Sequence, residues 1–341
     1  MTAVYDRRAP DAESLQAVDG GMAVMIALCR ALAGVAVLTL ASSGCSVERF
    51  AANKVGDTLA ASGTTYAADD DPELIGAALP FSLKLMESVL QATPEHRGLL
   101  AAISAGFTQY AYAFVQQPAD AFALDDTDRA WVDWNRARRL YLRARDYGLR
   151  GLDVALPGFS DRLRADQAAA VRRASAAEVD LLYWTAVSWA AAISLGKDDP
   201  SLVAELPLVS AMIDRALALD EGWDHGAIHS FLITYSMARP GADPEAAAIA
   251  RRHYDRAVEL SQGKAAGPHL SWAEAVCLPQ EDRACFEQAI AAAKKIDPDD
   301  DPATRLVNVI MQRRAAWLSA NLDRLMLPPI DDTAATEEPD S

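Results

Sequence analysis

Two histidines, His225 and His229, lie four residues apart in a segment with helical periodicity. That spacing places two imidazoles on one face of a helix, as in some zinc sites. The zinc-protease version of the pattern has Glu directly after the first histidine, where this chain has Gly226. Capping or packing therefore explains the pair better than a metal ion. His253 and His269 lack local partners, and we expect them at partly exposed helix surfaces.

The carboxylates define no metal or catalytic site either. Asp297, Asp299 and Asp301 alternate as in a calcium loop, but Pro302 stands where that loop needs Gly, and Asn308 where it needs Glu. A carboxylate pair for glycoside hydrolysis is defined in space rather than in sequence, so 48 Asp and Glu residues leave it unassigned. The sequence therefore predicts no metal and no other cofactor.

Signatures of the common catalytic classes are missing from the sequence. It has no Gly-x-Ser-x-Gly nucleophile elbow, no phosphate-binding loop ending in Gly-Lys-Ser/Thr, and no Gly-x-Gly-x-x-Gly. Gly196 and Lys197 are followed by two aspartates, which a phosphate loop would not have. We therefore expect a protein that is not an enzyme. An all-helical envelope hydrolase that acts through carboxylates is the alternative from a different functional class.

Aromatic and basic side chains give the candidates for ligand or partner binding. The aromatic candidates are Tyr110 and Tyr112 in one helical segment and Tyr183, Trp184 and Trp189 in another. Such side chains can line a pocket because they combine rigid apolar area with a polar group; core packing is the alternative. Arg139 and Arg143 belong to an arginine-rich helix, which is either a solvated face or a docking patch for anions or partners.

The cysteines point to an exported protein. Cys45 follows Arg30 and a short apolar run that ends in small residues, and this stretch resembles the lipobox of bacterial lipoproteins, in which the cysteine is acylated. Ser42 stands where Leu is commonest in that motif, so ordinary signal cleavage near Ser43 is the alternative. Cys277 and Cys285 would either form a disulfide in an oxidising compartment or pack as two small apolar residues.

The N-terminal region therefore divides into two parts. Residues 1–44 are predicted to be a lipoprotein signal peptide, for which Met22 or Met25 would be the more typical start. Residues 45–70 are predicted to carry the lipid and to form a tether. The apolar run itself is shorter than the roughly 20 residues that span a bilayer.

The rest of the chain is predicted to be all-α. Apolar residues recur at three- and four-residue spacing after Asp70, and Asp-Pro pairs mark helix starts at Asp71, Asp199, Asp243 and Asp301. Similar helix ends recur 41 and 36 residues apart at Leu219, Leu260 and Ile296, close to the tetratricopeptide (TPR) period of about 34. We predict a TPR-like superhelix of antiparallel helical hairpins over residues 71–327, followed by a disordered acidic tail over 328–341.

Charge and composition narrow the classes of partner. The full chain has a net charge of −16, and removal of residues 1–44 leaves −15. A chain this acidic repels phosphate backbones, so we expect no nucleic-acid binding. It cannot rest on anionic lipid by charge alone either, so attachment to a membrane would require the N-terminal lipid.

Seven stretches across the chain carry a resemblance to a known family. They are residues 110–115 (YAYAFV), 118–120 (PAD), 138–152 (RRLYLRARDYGLRGL), 180–193 (DLLYWTAVSWAAAI), 207–220 (PLVSAMIDRALALD), 253–260 (HYDRAVEL) and 308–318 (NVIMQRRAAWL). In order and spacing they resemble the T component associated with TRAP transporters. The resemblance implies a periplasmic lipoprotein with cryptic TPR repeats that forms a homotrimer and partners a TRAP-type periplasmic substrate-binding protein. It also implies a route for a hydrophobic or carboxylate ligand.

The functional expectation is a lipid-anchored scaffold or binding component of a TRAP-type solute uptake system. A generic TPR-like lipoprotein that serves envelope assembly is the alternative within the binding class. Ser46 follows the lipidation cysteine where Asp is associated with inner-membrane retention, so we expect the anchor in the outer membrane.

Overall fold

The computed structural model describes Met25, residues 49–239 and residues 245–326. Two units are separated at Lys54: residues 1–54, of which residues 49–54 are helical, and residues 55–341. Cys45, the rest of the predicted signal peptide and the predicted tail over 328–341 lie outside the described residues. The fold and the site below belong to the second unit.

The described residues form helices and no strands, which confirms the all-α prediction. In this part of the chain, ten helices form the framework: α1 (Pro72–Ala92), α2 (Arg97–Phe122), α3 (Thr127–Ala155), α4 (Val179–Ser194), α5 (Leu206–Leu219), α6 (Trp223–Ala238), α7 (Ala246–Leu260), α8 (Gly267–Trp272), α9 (Arg283–Lys295) and α10 (Arg305–Ala320). Shorter helical segments flank or connect them: residues 55–60, Gly63–Ala67, Phe159–Ala165, Gln167–Arg172, Ala176–Glu178, Pro200–Val203, Pro298–Asp300 and Leu322–Leu325.

Aspartates cap several of these helices, as the sequence predicts. The carboxylate of Asp71 accepts a hydrogen bond from the backbone N–H of Leu74 at 3.0 Å, and Pro72 occupies the first position of α1. At the start of α3, Asp126 accepts from the N–H of Arg129 at 2.9 Å. Each carboxylate satisfies an N–H group that the first turn of the helix leaves unpaired.

One predicted helix start is wrong. Asp301 and Pro302 precede a turn, and α10 begins only at Arg305. The carboxylate of Asp301 accepts from the N–H of Ala303, two residues on, so it closes a tight turn instead of capping a helix. The predicted start at Asp243 lies outside the described residues.

Helices that follow one another pack side by side through most of this unit. The principal pairs are α2 with α3, α3 with α4, α4 with α5, and α6 with α7. Phe107 of α2 stacks on Tyr147 of α3, and further along α2 Gln116 accepts a hydrogen bond from Tyr141, earlier in α3. These contacts run in opposite directions along the two helices, so α2 and α3 form an antiparallel hairpin. The TPR-like superhelical arrangement of the hairpins stays a prediction.

Helix α2 is long and apolar enough to cross a membrane by length and composition. Half of its most apolar stretch is buried, and it packs against α1, α3 and α4. Leu99, Leu100 and Ile103 are fully enclosed there. This burial is what a core helix of a globular protein requires, because its apolar surface is already removed from water.

The last helices of the unit contact the first ones. Arg305 of α10 donates to the carbonyl oxygen of Ala68 at 3.0 Å, and Arg313 forms a bidentate pair with Glu73 of α1. Beyond α10, Arg324 donates to Asp125, before α3, at 2.7 Å. We call this junction, made by α10 with α1 and α2, the seam.

Candidate binding site at the seam

Two helices at the site contain a π-helical turn each. In α2 the turn covers Tyr112–Gln116, and α8 continues directly into a second one over Ala273–Cys277. A π turn inserts one residue into a helix and rotates the side chains that follow, and such turns are frequent at functional sites. Tyr112 and Glu274, one from each turn, border the same cavity.

That cavity, the polar chamber, has a volume of about 250 Å³. Its lining is rich in hydroxyl, amide and charged groups and comprises Tyr112, Gln116, Asp120, Thr234, Ser271, Glu274, Ala275 and Arg314. The residues come from α2, α6, α8 with its π turn, and α10. Helices distant in sequence therefore converge on one polar cavity, which is partly open to solvent.

A second cavity, the seam cavity, has a volume of about 540 Å³ and lies between α1, α2 and α10. Its walls are mainly apolar and are formed by Pro72, Glu73, Gly76, Tyr110, Ala113, Phe114, Gln117, Pro118, Ala121, Ile310, Arg313, Arg314 and Trp317. Arg314 borders both cavities. Its side chain therefore stands where the apolar cavity and the polar chamber adjoin.

Arg314 is held by two carboxylates. Its Nε and one terminal nitrogen donate to Oε1 of Glu274 at 3.1 and 2.7 Å, and the same terminal nitrogen lies 3.6 Å from Oδ2 of Asp120. Asp120 also accepts a hydrogen bond from the indole of Trp134 at 2.8 Å. The guanidinium is thus fixed from two sides, and only 11% of the Arg314 side chain is accessible.

Burial shifts the ionisation of this cluster. It raises the pKa of Glu274 and of Asp120, because a carboxylate loses hydration there, and nearby Arg314 only partly opposes the shift. Burial, together with the charge of Glu274, raises the pKa of Tyr112 to about 12. The pKa of Arg314 rises as well: burial disfavours its charge, but Glu274 and Asp120 favour it more. Tyr112 and Arg314 therefore stay protonated at neutral pH.

The structure brings two of the predicted aromatic candidates to the two cavities. Tyr110 borders the seam cavity and Tyr112 borders the polar chamber. The two arginine candidates line neither cavity. Arg143 is paired with Glu87 of α1 and lies over the ring of Phe107. Arg139 is exposed on α3.

The other aromatic candidates pack elsewhere. Tyr183 and Trp184 of α4 form an edge-to-face pair with ring centroids 5.0 Å apart, and both contact Trp223. Trp189 is fully buried, and its indole donates to Glu205 at 2.8 Å. All three α4 side chains belong to the core around α4 and α5 and border neither cavity.

The backbone at His225 and the partner of His229 both differ from the predicted pair on one helix face. Asp224, His225 and Gly226 have left-handed backbone angles, with φ of 45°, 55° and 84°. His225 and His229 therefore do not share a helix face. His229 and His253 instead approach across α6 and α7 with their Nδ1 atoms 2.9 Å apart.

His269 has a partner as well and is buried, with its Nδ1 atom 2.8 Å from the hydroxyl of Tyr254. His253 is half-buried, as expected, but the expectation of a partly exposed surface is wrong for His269. The reason is that α6, α7 and α8 pack against one another and bring these rings together. No group of three or more metal-binding side chains is found among the described residues.

A disulfide joins the sulfur atoms of Cys277 and Cys285, whose Cα atoms are 5.6 Å apart. Cys277 ends the π turn that follows α8, and Cys285 lies in the first turn of α9. The bond therefore closes the connection next to the segment that carries Glu274.

Sequence reasoning did not select Asp120, Glu274 or Arg314 as site residues. Asp120 and Arg314 are 194 positions apart in the chain, and each resembles a surface charge when only its neighbours are considered. The PAD stretch at 118–120 and the stretch at 308–318 contributed to the family resemblance, which was the one signal at these positions. Nothing in the sequence around Glu274 distinguished it.

Comparison with known proteins gives the family. The sequence profile of the family described as TRAP transporter T-component matches residues 68–326, a range that includes both cavities. A protein of Treponema pallidum (strain Nichols), described as uncharacterized, is 31% identical over 311 residues, which cover 84% of this chain and 95% of that relative. The match confirms the resemblance and implies a role in TRAP transport at a periplasmic or membrane-associated location. The chain belongs to the TRAP transporter T-component family.

Proposed function

We propose that the protein is a non-enzymatic binding component of a TRAP-type uptake system, which docks a periplasmic substrate-binding protein and passes on its ligand. The observation that carries the proposal is the pair of adjoining cavities at Arg314 in a chain of the T-component family.

The seam cavity suits a hydrophobic ligand. Phe114, Ile310 and Trp317 provide apolar surface there, and cavities of this size commonly bind small molecules through such walls. A carboxylate ligand is the alternative that the family resemblance implies, and Arg313 and Arg314 would be its partners. The ligand would pass Arg314 on its way between the two cavities.

The same proposal includes the attachment and assembly of the protein. Acylation at Cys45 would hold the chain at the periplasmic face of the outer membrane, with residues 45–70 as the tether. A homotrimer would present three copies of the site. Sedimentation velocity of the purified protein measures this directly, and a monomer at all concentrations would contradict the assembly.

Affinity capture tests the docking role. Tagged protein is isolated from its native host after brief chemical cross-linking, and its partners are identified by mass spectrometry. We expect a TRAP-type substrate-binding protein to be enriched over a tagged, unrelated periplasmic protein. Recovery of envelope-assembly proteins, without any substrate-binding protein, would contradict the proposal and favour the generic lipoprotein.

A further inference from the structure

The charges that border the polar chamber do not balance. Asp120 and Glu274 contribute two carboxylates, whereas Arg314 is the one guanidinium in the lining. Thr234 and Ser271 add neutral hydroxyl groups. With both acids ionised, the lining carries one excess negative charge. Burial raises the pKa of both carboxyls, and a cation beside them would oppose that rise and favour the ionised forms.

One carboxylate oxygen in the chamber has room for a further partner. Both hydrogen bonds from Arg314 end on Oε1 of Glu274, and within the described part of the chain Oε2 has no hydrogen-bond partner. Although Glu274 is surrounded by protein, 27% of its side chain is accessible because it borders the cavity. A donor group inside the chamber can therefore reach Oε2.

We propose that the polar chamber binds the protonated amine of an amphipathic ligand, whose apolar part occupies the seam cavity. An ammonium group supplies both the missing positive charge and hydrogen-bond donors for Glu274 Oε2 and Asp120. A carboxylate head group would instead lie among two carboxylates with one guanidinium, which is already engaged. The inference rests on the ligand role proposed above, keeps its hydrophobic ligand and replaces its carboxylate alternative.

Three probes with eight carbon atoms each compare the effect of the head group on binding: octylamine, 1-octanol and octanoate. Their dissociation constants for the purified protein are measured by isothermal titration calorimetry at pH 7.5. We expect octylamine to bind at least about tenfold more tightly than 1-octanol, the equivalent of about 1.4 kcal/mol, and octanoate to bind most weakly. Tighter binding of octanoate than of octylamine, or no measurable binding of octylamine, would overturn the proposal.

Two variants locate the effect. Glu274→Gln should remove the preference for octylamine over 1-octanol, while Glu73→Gln should retain it, because Glu73 borders the seam cavity but its side chain is 72% exposed. Asp120→Asn, as a second chamber variant, should weaken octylamine binding in the same direction if Glu274→Gln fails to fold. A preference that survives in both folded chamber variants would refute the assignment.

The result of these binding measurements can be distinguished from the result of the affinity capture that tests the docking role. If the substrate-binding protein is captured but octylamine is not preferred, the chamber assignment fails and the docking function stands. If octylamine is preferred and no substrate-binding protein is captured, the chamber assignment stands and the docking function fails.

Discussion

At the scale of single residues, Arg314 is the side chain on which the site depends. A buried ion pair of this kind adds little net stability, because desolvation of the charges offsets most of their attraction. Desolvation of the carboxylates of Asp120 and Glu274 therefore lowers the free energy of unfolding, which well-packed apolar residues at these positions would not do. Their position at the junction of two cavities supports a role in ligand binding over one in stability.

A second residue-scale feature predicts a pH dependence of stability. Burial and, after it, the neighbouring His229 lower the pKa of His253 to about 4, from an ordinary value of 6.5. Between pH 6.5 and 4 the unfolded chain therefore takes up a proton that the folded chain does not. The contribution of His253 to the free energy of unfolding is full above pH 6.5 and decreases as the pH falls towards 4.

The measurement is urea unfolding between pH 4 and pH 7. His253→Gln should show a shallower loss of stability with falling pH than the wild type, because the titrating group is gone. His225→Asn is the matched control, since His225 is exposed and lies outside the pair. Equal slopes in the wild type and in His253→Gln would contradict the assignment of the shift to this histidine.

At the scale of helices, the two π turns and the connection between α8 and α9 shape the site. The π turn in α2 follows Ala111 without ending the helix and changes the directions of the side chains after it, among them Asp120 at the polar chamber. The turn after α8 places Glu274 at the polar chamber. A helix pattern with a constant period of 3.6 residues cannot anticipate these directions.

The pairing of α6 with α7 predicts unequal effects for two glycines. A Cβ atom on Gly226 would lie 2.9 Å from Cβ of Leu260, whereas one on Gly263 would meet open space, and both glycines have positive φ. Alanine at either site costs roughly 1 kcal/mol for the left-handed backbone. Gly226→Ala should cost about 1–3 kcal/mol more from overpacking against α7.

Urea unfolding of the two variants measures the difference, and Gly263→Ala serves as the control for backbone strain. Equal free energies of unfolding for the two variants would show that α6 and α7 are not in close contact at Leu260.

The connection from α8 to α9 predicts a bonded cysteine pair. Thiol labelling of the unfolded, unreduced protein, with the labelled peptides located by mass, should leave Cys277 and Cys285 unmodified. Reduction should lower the free energy of unfolding by about 2–3 kcal/mol, since the bond closes a loop of about nine residues. Two reactive thiols before reduction would refute the pairing.

At the scale of the whole molecule, the seam determines that there is a site at all. Arginines of α10 and of the residues after it reach Ala68, Glu73 and Asp125 near the start of the unit. Pairs as exposed as Arg313 with Glu73 contribute little to stability, because solvent screens the attraction between their charges. The direct contacts named at the seam are thus polar, whereas the apolar side chains of these helices line the seam cavity.

Attachment of the molecule to a membrane gives a prediction at the same scale. Cys45→Ala should abolish acylation and shift the protein from the membrane to the soluble periplasmic fraction, as seen by fractionation and immunoblot. Cys29→Ala is the control, because Cys29 lies within the predicted signal peptide and should leave the anchored form unchanged. Retention of Cys45→Ala at the membrane would argue against the lipoprotein assignment.

The sequence by itself determined the helical class and many helix ends. Periodicity of apolar residues requires only local geometry, and caps such as Asp71 act within one turn, so both can be read from neighbouring residues. Leu219 and Leu260 end α5 and α7 as the recurring pattern predicts. Family resemblance, carried by stretches along the whole chain, was equally accessible and is confirmed.

Only the tertiary structure determined the site. Arg314 and its partner Glu274 are 40 residues apart, and Asp120 lies 194 residues before Arg314, so no local pattern relates them. The same holds for His229 and His253, which meet because α6 packs on α7. Contacts between helices far apart in the chain form only in the folded unit, where α10 meets α1 and α2 at the seam. Charged side chains that look solvated in the sequence lose water there, because distant helices exclude it, and they then act as partners of one another.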